Sequence, residues 1–218
     1  MKICISPSTQ QNNTGPNGYI EETEMNRIAD ILIPELIRHG ISVYRIPRTM
    51  DSVNDIVNAS NKYNPDYHIA IHSNAGGGTG CEIWCSNPKI ATHKGTQMAT
   101  AIYKYLAPVT LTPNDRGLKD ETGNIGEVGR TTAPAVLMEI EFHDNATGAE
   151  WIKKRTNDIA QAILKGILEQ CGIKYIAPVV VENKDEIIRN LRLRVETLSA
   201  EVKTLTAEKQ SANVSLTA

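Results

Sequence analysis

Two rhythms of apolar residues alternate along the chain. Short, nearly unbroken apolar runs at 2–6, 41–46, 67–72, 81–85 and 136–140 predict buried strands. Stretches with apolar residues three and four apart predict helices at 22–39, 53–63, 93–106 and 151–171. In the first of these, Met25, Ile28, Ala29, Leu32, Ile33, Leu36 and Ile37 line one face, and Gly40 supplies the stop. Pro34 falls inside that helix and is expected to kink or split it, because proline lacks the backbone donor. Strands alternating with helices predict an α/β domain of three layers, with a mostly parallel central sheet flanked by helices.

Near Ile176 the rhythm changes. Ala177-Pro178-Val179-Val180-Val181 reads as a linker, and Ile188, Leu191, Val195, Leu198, Val202 and Leu205 then step by 3, 4, 3, 4, 3. This is a heptad seam with β-branched residues at a and leucine at d, the pairing that favours a parallel two-stranded coil. Lys209 at the next a position ends the seam, and the rest of the tail is expected to be disordered. The expected organisation is a globular α/β domain at 1–175, a linker at 176–184 and a C-terminal helical coiled-coil tail at 185–218. Residues 185–208 are the candidate homodimer contact; a helix packed back on the domain is the alternative.

Composition narrows the class. The 218 residues carry 23 Lys+Arg and 25 Asp+Glu, with 40% hydrophobic residues, which suits a folded chain and argues against a dedicated nucleic-acid partner. No apolar run approaches the ~20 residues of a bilayer span, so no membrane insertion is expected. The start, Met1-Lys2-Ile3-Cys4-Ile5-Ser6, lacks the apolar stretch of a secretory signal, which predicts synthesis in the cytoplasm. The four cysteines are expected to be reduced. Cys81 and Cys85 lie roughly 13 Å apart on a strand, too far for a bridge, and no second Cys or His pair completes a zinc site with them.

Polar residues collect just after the strands, at the carboxyl edge where open α/β sheets bind ligands. His72-Ser73-Asn74 ends one apolar strand, and His68, on the same face but deeper, reads as structural. Glu139, Glu141, His143, Asp144 and Asn145 cluster at the end of another, where a carboxylate is costly unless paired, metal-linked or catalytic. Glu21, Glu22 and Glu24 open the first long helix, where acidic residues also suit the helix dipole with no further role. Histidine and glutamate brought from separate element ends are how an open catalytic zinc site is assembled.

These landmarks occur in a recognisable order: the helix start with Met25-Asn26-Arg27-Ile28-Ala29, Arg48-Thr49, Ala70-Ile71-His72-Ser73-Asn74-Ala75, Arg116-Gly117-Leu118-Lys119, and Pro134 to Asn145. Over residues 1–172 the chain resembles the zinc-dependent N-acetylmuramoyl-L-alanine amidases of the Amidase_3 type. The resemblance implies hydrolysis of the amide between N-acetylmuramic acid and L-alanine in peptidoglycan, with Zn2+ as cofactor. By position it makes His72 and Glu22 zinc ligands and Glu139 the catalytic glutamate, with Glu21, Glu24 and Glu141 as neighbours a small shift would promote. Asn74 and Arg116 become candidate substrate contacts. One departure stands out: the family's first-strand Gly-His is replaced by Ser6-Pro7-Ser8-Thr9-Gln10, as in a branch with Ser-Pro-Ser-x-Gln. Gln10 is the candidate replacement ligand; Gln11, Asn13 or water are the alternatives. The missing histidine also keeps open a wall-binding module that has lost catalysis and is oligomerised by its C-terminal helix. With no export signal, such a hydrolase is expected to reach the wall after lysis or holin-type release, as an endolysin does, or to act as an autolysin.

Overall fold

The structure is a computed structural model that describes residues 1–86, 92–111, 116–121, 123, 125–177 and 184–215. It divides into two units, Met1–Ile176 and Ala177–Ala218. In the first, the chain runs β1 (Lys2–Pro7), β2 (Thr14–Gly15), β3 (Tyr19–Ile20), α1 (Glu21–Arg38), β4 (Ser42–Arg45), α2 (Val53–Tyr63), β5 (Tyr67–Asn74) and β6 (Glu82–Cys85). There follow α3 (Lys94–Leu106), β7 (Leu118–Asp120), α4 (Gly126–Gly129), β8 (Ala135–Phe142), α5 (Ala146–Lys154) and α6 (Thr156–Gln170).

Six strands form one sheet in the order β4-β1-β5-β8-β6-β7, and β2 and β3 make a small separate hairpin. The strands β4, β1, β5 and β8 are mutually parallel. β6 runs antiparallel to β8 and carries β7 parallel to itself. The sheet is thus mixed and mostly parallel. Its reversed edge follows from the route of the chain, since β5 leads through the glycine-rich 76–80 loop to β6 without a crossover helix, which a parallel neighbour requires.

Alternate residues of the central strands feed two cores. Ile3, Ile5, Ile69, Ile71, Val136, Met138 and Ile140 face one side, where they meet Met25, Ile28, Leu32 and Leu36 of α1 and Ile159, Ile163 and Ile167 of α6. Ala70, Ala135 and Leu137 face the other side and pack with Val128 of α4, while Cys4 and Ile46 pack with Ile56 of α2. This burial on both faces explains why the strands read as continuous apolar runs. Helices α3 and α6 approach closely at Gly166, where an added Cβ would lie 2.4 Å from the Ile102 Cα.

The helix expected to kink at Pro34 is continuous from Glu21 to Arg38. Pro34 lies on its exposed side, where water can satisfy the carbonyl the proline leaves unpaired. The single helix expected over 151–171 is two, α5 and α6, divided at Arg155. Asn145, read only as part of a polar cluster, caps α5 by accepting a hydrogen bond from the Gly148 N–H at 2.8 Å. The short β7, α4 and the β2–β3 hairpin were not expected, because elements of two to four residues have no periodicity to display. No disulfide joins the four cysteines.

In the second unit, one helix, α7 (Lys184–Ser215), contains the whole heptad seam and runs past Lys209, where the tail was expected to be disordered. Ile188, Leu191, Val195, Leu198, Val202 and Leu205 are all exposed. Within the expected linker, residues 178–183 lie outside the described residues, as do 216–218 at the end of the tail. No helix among the described residues is long and apolar enough to cross a membrane.

Candidate active site

The carboxyl ends of β1, β5 and β8 lie side by side, and the first turn of α1 closes over them. β5 places His72 directly beside Glu139 of β8, and Glu139 is in turn opposite Glu82 of β6. One extra residue on β8 then breaks the ladder between His72 and Asn74. Such a bulge re-aims side chains at a strand end, here those of a polar cluster.

His72 stands between two carboxylates. Its Nδ1 lies 2.9 Å from Glu21 Oε1, and its Nε2 lies 3.7 Å from Glu127 Oε1. Glu21 also accepts hydrogen bonds from the Ser73 N–H at 3.3 Å and from the Asn13 amide, and Ser8 bonds to it as well. Burial alone would lower the pKa of His72, but Glu127 and Glu21 hold it well above the ordinary value. Burial pushes Glu21 the other way, and the His72 imidazole overcomes it, leaving that carboxyl below its usual range.

Glu139 differs. Burial raises its pKa to about 7; the nearby His72 opposes the rise, and the Glu21 and Glu82 carboxylates add to it. A carboxyl poised near neutrality is suited to taking and returning a proton. Its Oε2 is buried without a hydrogen-bond partner, as are His72 Nε2 and Glu141 Oε2. Glu141 itself accepts from the Gly80 N–H at 2.7 Å and so ties down the glycine loop.

The sequence-derived candidates are sorted by this geometry. His72 and Glu139 come together. Glu22 does not join them: it faces Asn26 Nδ2 at 3.3 Å and Arg48 Nε at 3.3 Å, while the preceding residue, Glu21, meets His72. Successive helical residues point ~100° apart, so a shift of one position selects a different carboxylate. Gln10 is exposed, and its Oε1 accepts from Asn13 Nδ2 at 3.3 Å, so the structure does not bring it to His72. It lines instead a polar cavity of about 610 Å³ with Gln11, Asn12, Asn13, Arg48 and Asp51. Asn74 and Arg116 do meet, through Glu82, which accepts from Asn74 Nδ2 at 3.0 Å and from Arg116 Nε at 2.8 Å.

Sequence reasoning missed Glu82 and Glu127. Glu82 lies on an apolar strand, the same signal that singled out Glu139. Glu127 sits on a helix of four residues and carries no local signal. A further network braces the loop after β1: His143 Nδ1 lies 2.9 Å from Ser73 Oγ, its Nε2 lies 3.0 Å from Asn13 Oδ1, and its ring stacks on Tyr19 at 5.0 Å.

Among the described residues no three His, Cys, Asp or Glu side chains surround a common point as a ready-made metal cage. The residues present nevertheless fit a zinc ion in chemistry. An imidazole and a carboxylate face each other at His72 and Glu21, the donor types zinc takes. A buried oxygen of Glu139, Oε2, lacks a partner beside them.

Known proteins agree with this architecture. A sporulation-specific N-acetylmuramoyl-L-alanine amidase of Bacillus subtilis (strain 168) is 32% identical over 173 residues, covering 76% of this chain and 65% of that protein. The chain spans about 65% of the length of the curated relatives it matches. The crystal structure of an N-acetylmuramoyl-L-alanine amidase from Clostridium difficile 630 has the same fold, with a TM-score of 0.69 at 24% identity over 80% of this chain and 98% of that one. The catalytic domain of an endolysin targeting Clostridia difficile gives a TM-score of 0.64 at 26% identity over 81% of this chain and 99% of that one. Residues 3–169 match the Amidase_3 family, described as N-acetylmuramoyl-L-alanine amidase, and the chain belongs to that family.

Proposed function

We propose that the first unit hydrolyses the amide bond between N-acetylmuramic acid and L-alanine in peptidoglycan, with zinc held by His72 and Glu21 and Glu139 as the catalytic carboxylate. The observation that carries this reading is the unpartnered, buried Oε2 of Glu139, on the strand next to the His72–Glu21 pair. A zinc ion held by these two residues would supply Lewis acidity, polarising the scissile carbonyl and lowering the pKa of a bound water toward neutrality. Glu139 takes a proton from the attacking water and returns it to the alanine nitrogen as the carbon–nitrogen bond breaks. Asn74 and Arg116, held together by Glu82, form the neighbouring wall and are the proposed substrate contacts. His72 and Glu21 would hold the ion, and Gln10, whose Oε1 accepts from Asn13 Nδ2, is not among the proposed ligands.

Purified peptidoglycan incubated with zinc-loaded protein is expected to release peptides with free N-terminal L-alanine. The absence of such ends with well-folded, zinc-loaded protein overturns the assignment. The replacement of the family's first-strand Gly-His by Ser6-Pro7-Ser8 favours a second reading, a wall-binding module that has lost catalysis, and that reading predicts sedimentation with the wall and no new amino termini. For α7 we propose pairing with a second copy, because its exposed residues keep the a/d register of a parallel dimer.

A further inference from the structure

We propose that Glu127 is a positioning residue for His72: its anchored carboxylate accepts a hydrogen bond from Nε2–H and so leaves the Nδ1 lone pair for the ion that Glu21 would share. This rests on the reading that zinc is held between His72 and Glu21. A neutral imidazole carries one proton, and the partner of one nitrogen decides what the other can bind. The two nitrogens of His72 face different groups, Nδ1 toward Glu21 at 2.9 Å and Nε2 toward Glu127 at 3.7 Å. Glu139 stands beside His72 across the β5–β8 ladder, whereas Glu127 is bonded to Ser6 and His68. The reacting carboxylate and the proposed orienting carboxylate therefore belong to separate groupings around the same ring.

Glu127 is built to stay in place. Its Oε2 accepts from Ser6 Oγ at 2.6 Å and pairs with His68 Nε2 at 2.9 Å, and His68 Nδ1 meets Ser60 Oγ at 2.9 Å. Anchors from β1 and β5 thus meet on a residue whose own helix is too short to hold it, and α2 holds His68 behind them. The second oxygen, Oε1, is the one directed at His72, whose Nε2 has no hydrogen-bond partner. At 3.7 Å the pair is just outside hydrogen-bond range, a gap that a small rotation of the ring closes. A carboxylate behind a ligating histidine fixes the tautomer and raises ligand basicity, and its loss typically costs about 10–100-fold in metal affinity.

The test measures zinc affinity by chelator competition in the full chain for the wild type, Glu127→Gln and Ser6→Ala, together with the imidazole nitrogen resonances of the zinc-loaded wild type. Glu127→Gln is expected to weaken zinc binding about tenfold or more with the fold retained. Ser6→Ala, which removes one anchor, is expected to weaken it several-fold. The His72 resonances are expected to show the proton on Nε2 and zinc at Nδ1. A merely structural role would lower the melting temperature and leave zinc affinity unmoved. Folded Glu127→Gln with an affinity within about twofold of the wild type overturns the inference, as does zinc on Nε2. Should Glu127→Gln not fold, an unchanged affinity in Ser6→Ala overturns it instead. A folded wild type that binds no zinc removes the underlying metal reading, an outcome distinguishable from loss of the inference alone.

Discussion

His72 and Glu21 meet at 2.9 Å across the junction between β5 and α1, and Glu22, the next residue in the chain, points away toward Arg48. The two glutamates should therefore behave differently. Glu21→Gln is expected to weaken zinc binding at least tenfold, whereas Glu22→Gln and Gln10→Ala should stay within about twofold of the wild type. Equilibrium dialysis with a zinc indicator compares all three, and equal losses in Glu21→Gln and Glu22→Gln would show that the helix presents both carboxylates to the ion.

Glu139 is expected to dominate catalysis. Replacing it with glutamine keeps the shape but removes the group that carries the proton, so amide hydrolysis should fall by about 10²–10⁴-fold. Zinc content should be retained, because Glu139 is not assigned as a ligand. The check is the release of amino termini from purified peptidoglycan beside a zinc assay; a wild-type rate in the zinc-loaded variant contradicts the proposed role.

The same side chain makes stability depend on pH. Its folded pKa of about 7 lies above the ordinary 4.5, so the folded state binds more protons between those values. The contribution is fully present below about pH 4.5 and is lost as pH rises through about 7, a change of about 3 kcal/mol. Metal-free Glu139→Gln should consequently gain stability relative to the wild type at pH 8 and not at pH 4. Urea unfolding at both values measures the difference, and a pH-independent gap would mean that Glu139 titrates normally.

Glu82 offers a way to tune that carboxyl without touching it. Its charge helps to raise Glu139 and also neutralises Arg116. In Glu82→Gln the acidic limb of the kcat/KM profile should move to lower pH, because less negative charge remains to oppose ionisation of Glu139. A shift to higher pH would show that some other group governs the limb.

The division after Ile176 predicts separable roles. The fragment ending there should fold and keep wild-type hydrolysis of soluble muropeptides, since its core is complete without α7. Full-length protein should sediment with a concentration-dependent dimer component that the fragment lacks. A monomeric full chain at high concentration would rule out pairing through α7.

Several features of the site were legible because they are local. His72 and Glu139 each stand in the later half of an apolar strand, and a polar side chain in that setting marks itself in one dimension. Glu82 displayed the same signal on a shorter strand, amid cysteines that drew attention instead. Glu127 had none, since its meaning comes from Ser6, His68 and His72, which two other stretches of chain, β1 and β5, deliver to it.

The alternation of apolar residues by itself determined the α/β class, most of the strands and helices, and the heptad seam of α7, because periodicity records which face of an element must leave water. Only the tertiary structure decided the place of β8 between β5 and β6, the meeting of His72 with Glu21 rather than Glu22, and the anchoring of Glu127 beside His72. Each depends on how one element is rotated and routed against another. That arrangement is set by packing between residues far apart in the chain, and no local pattern encodes it.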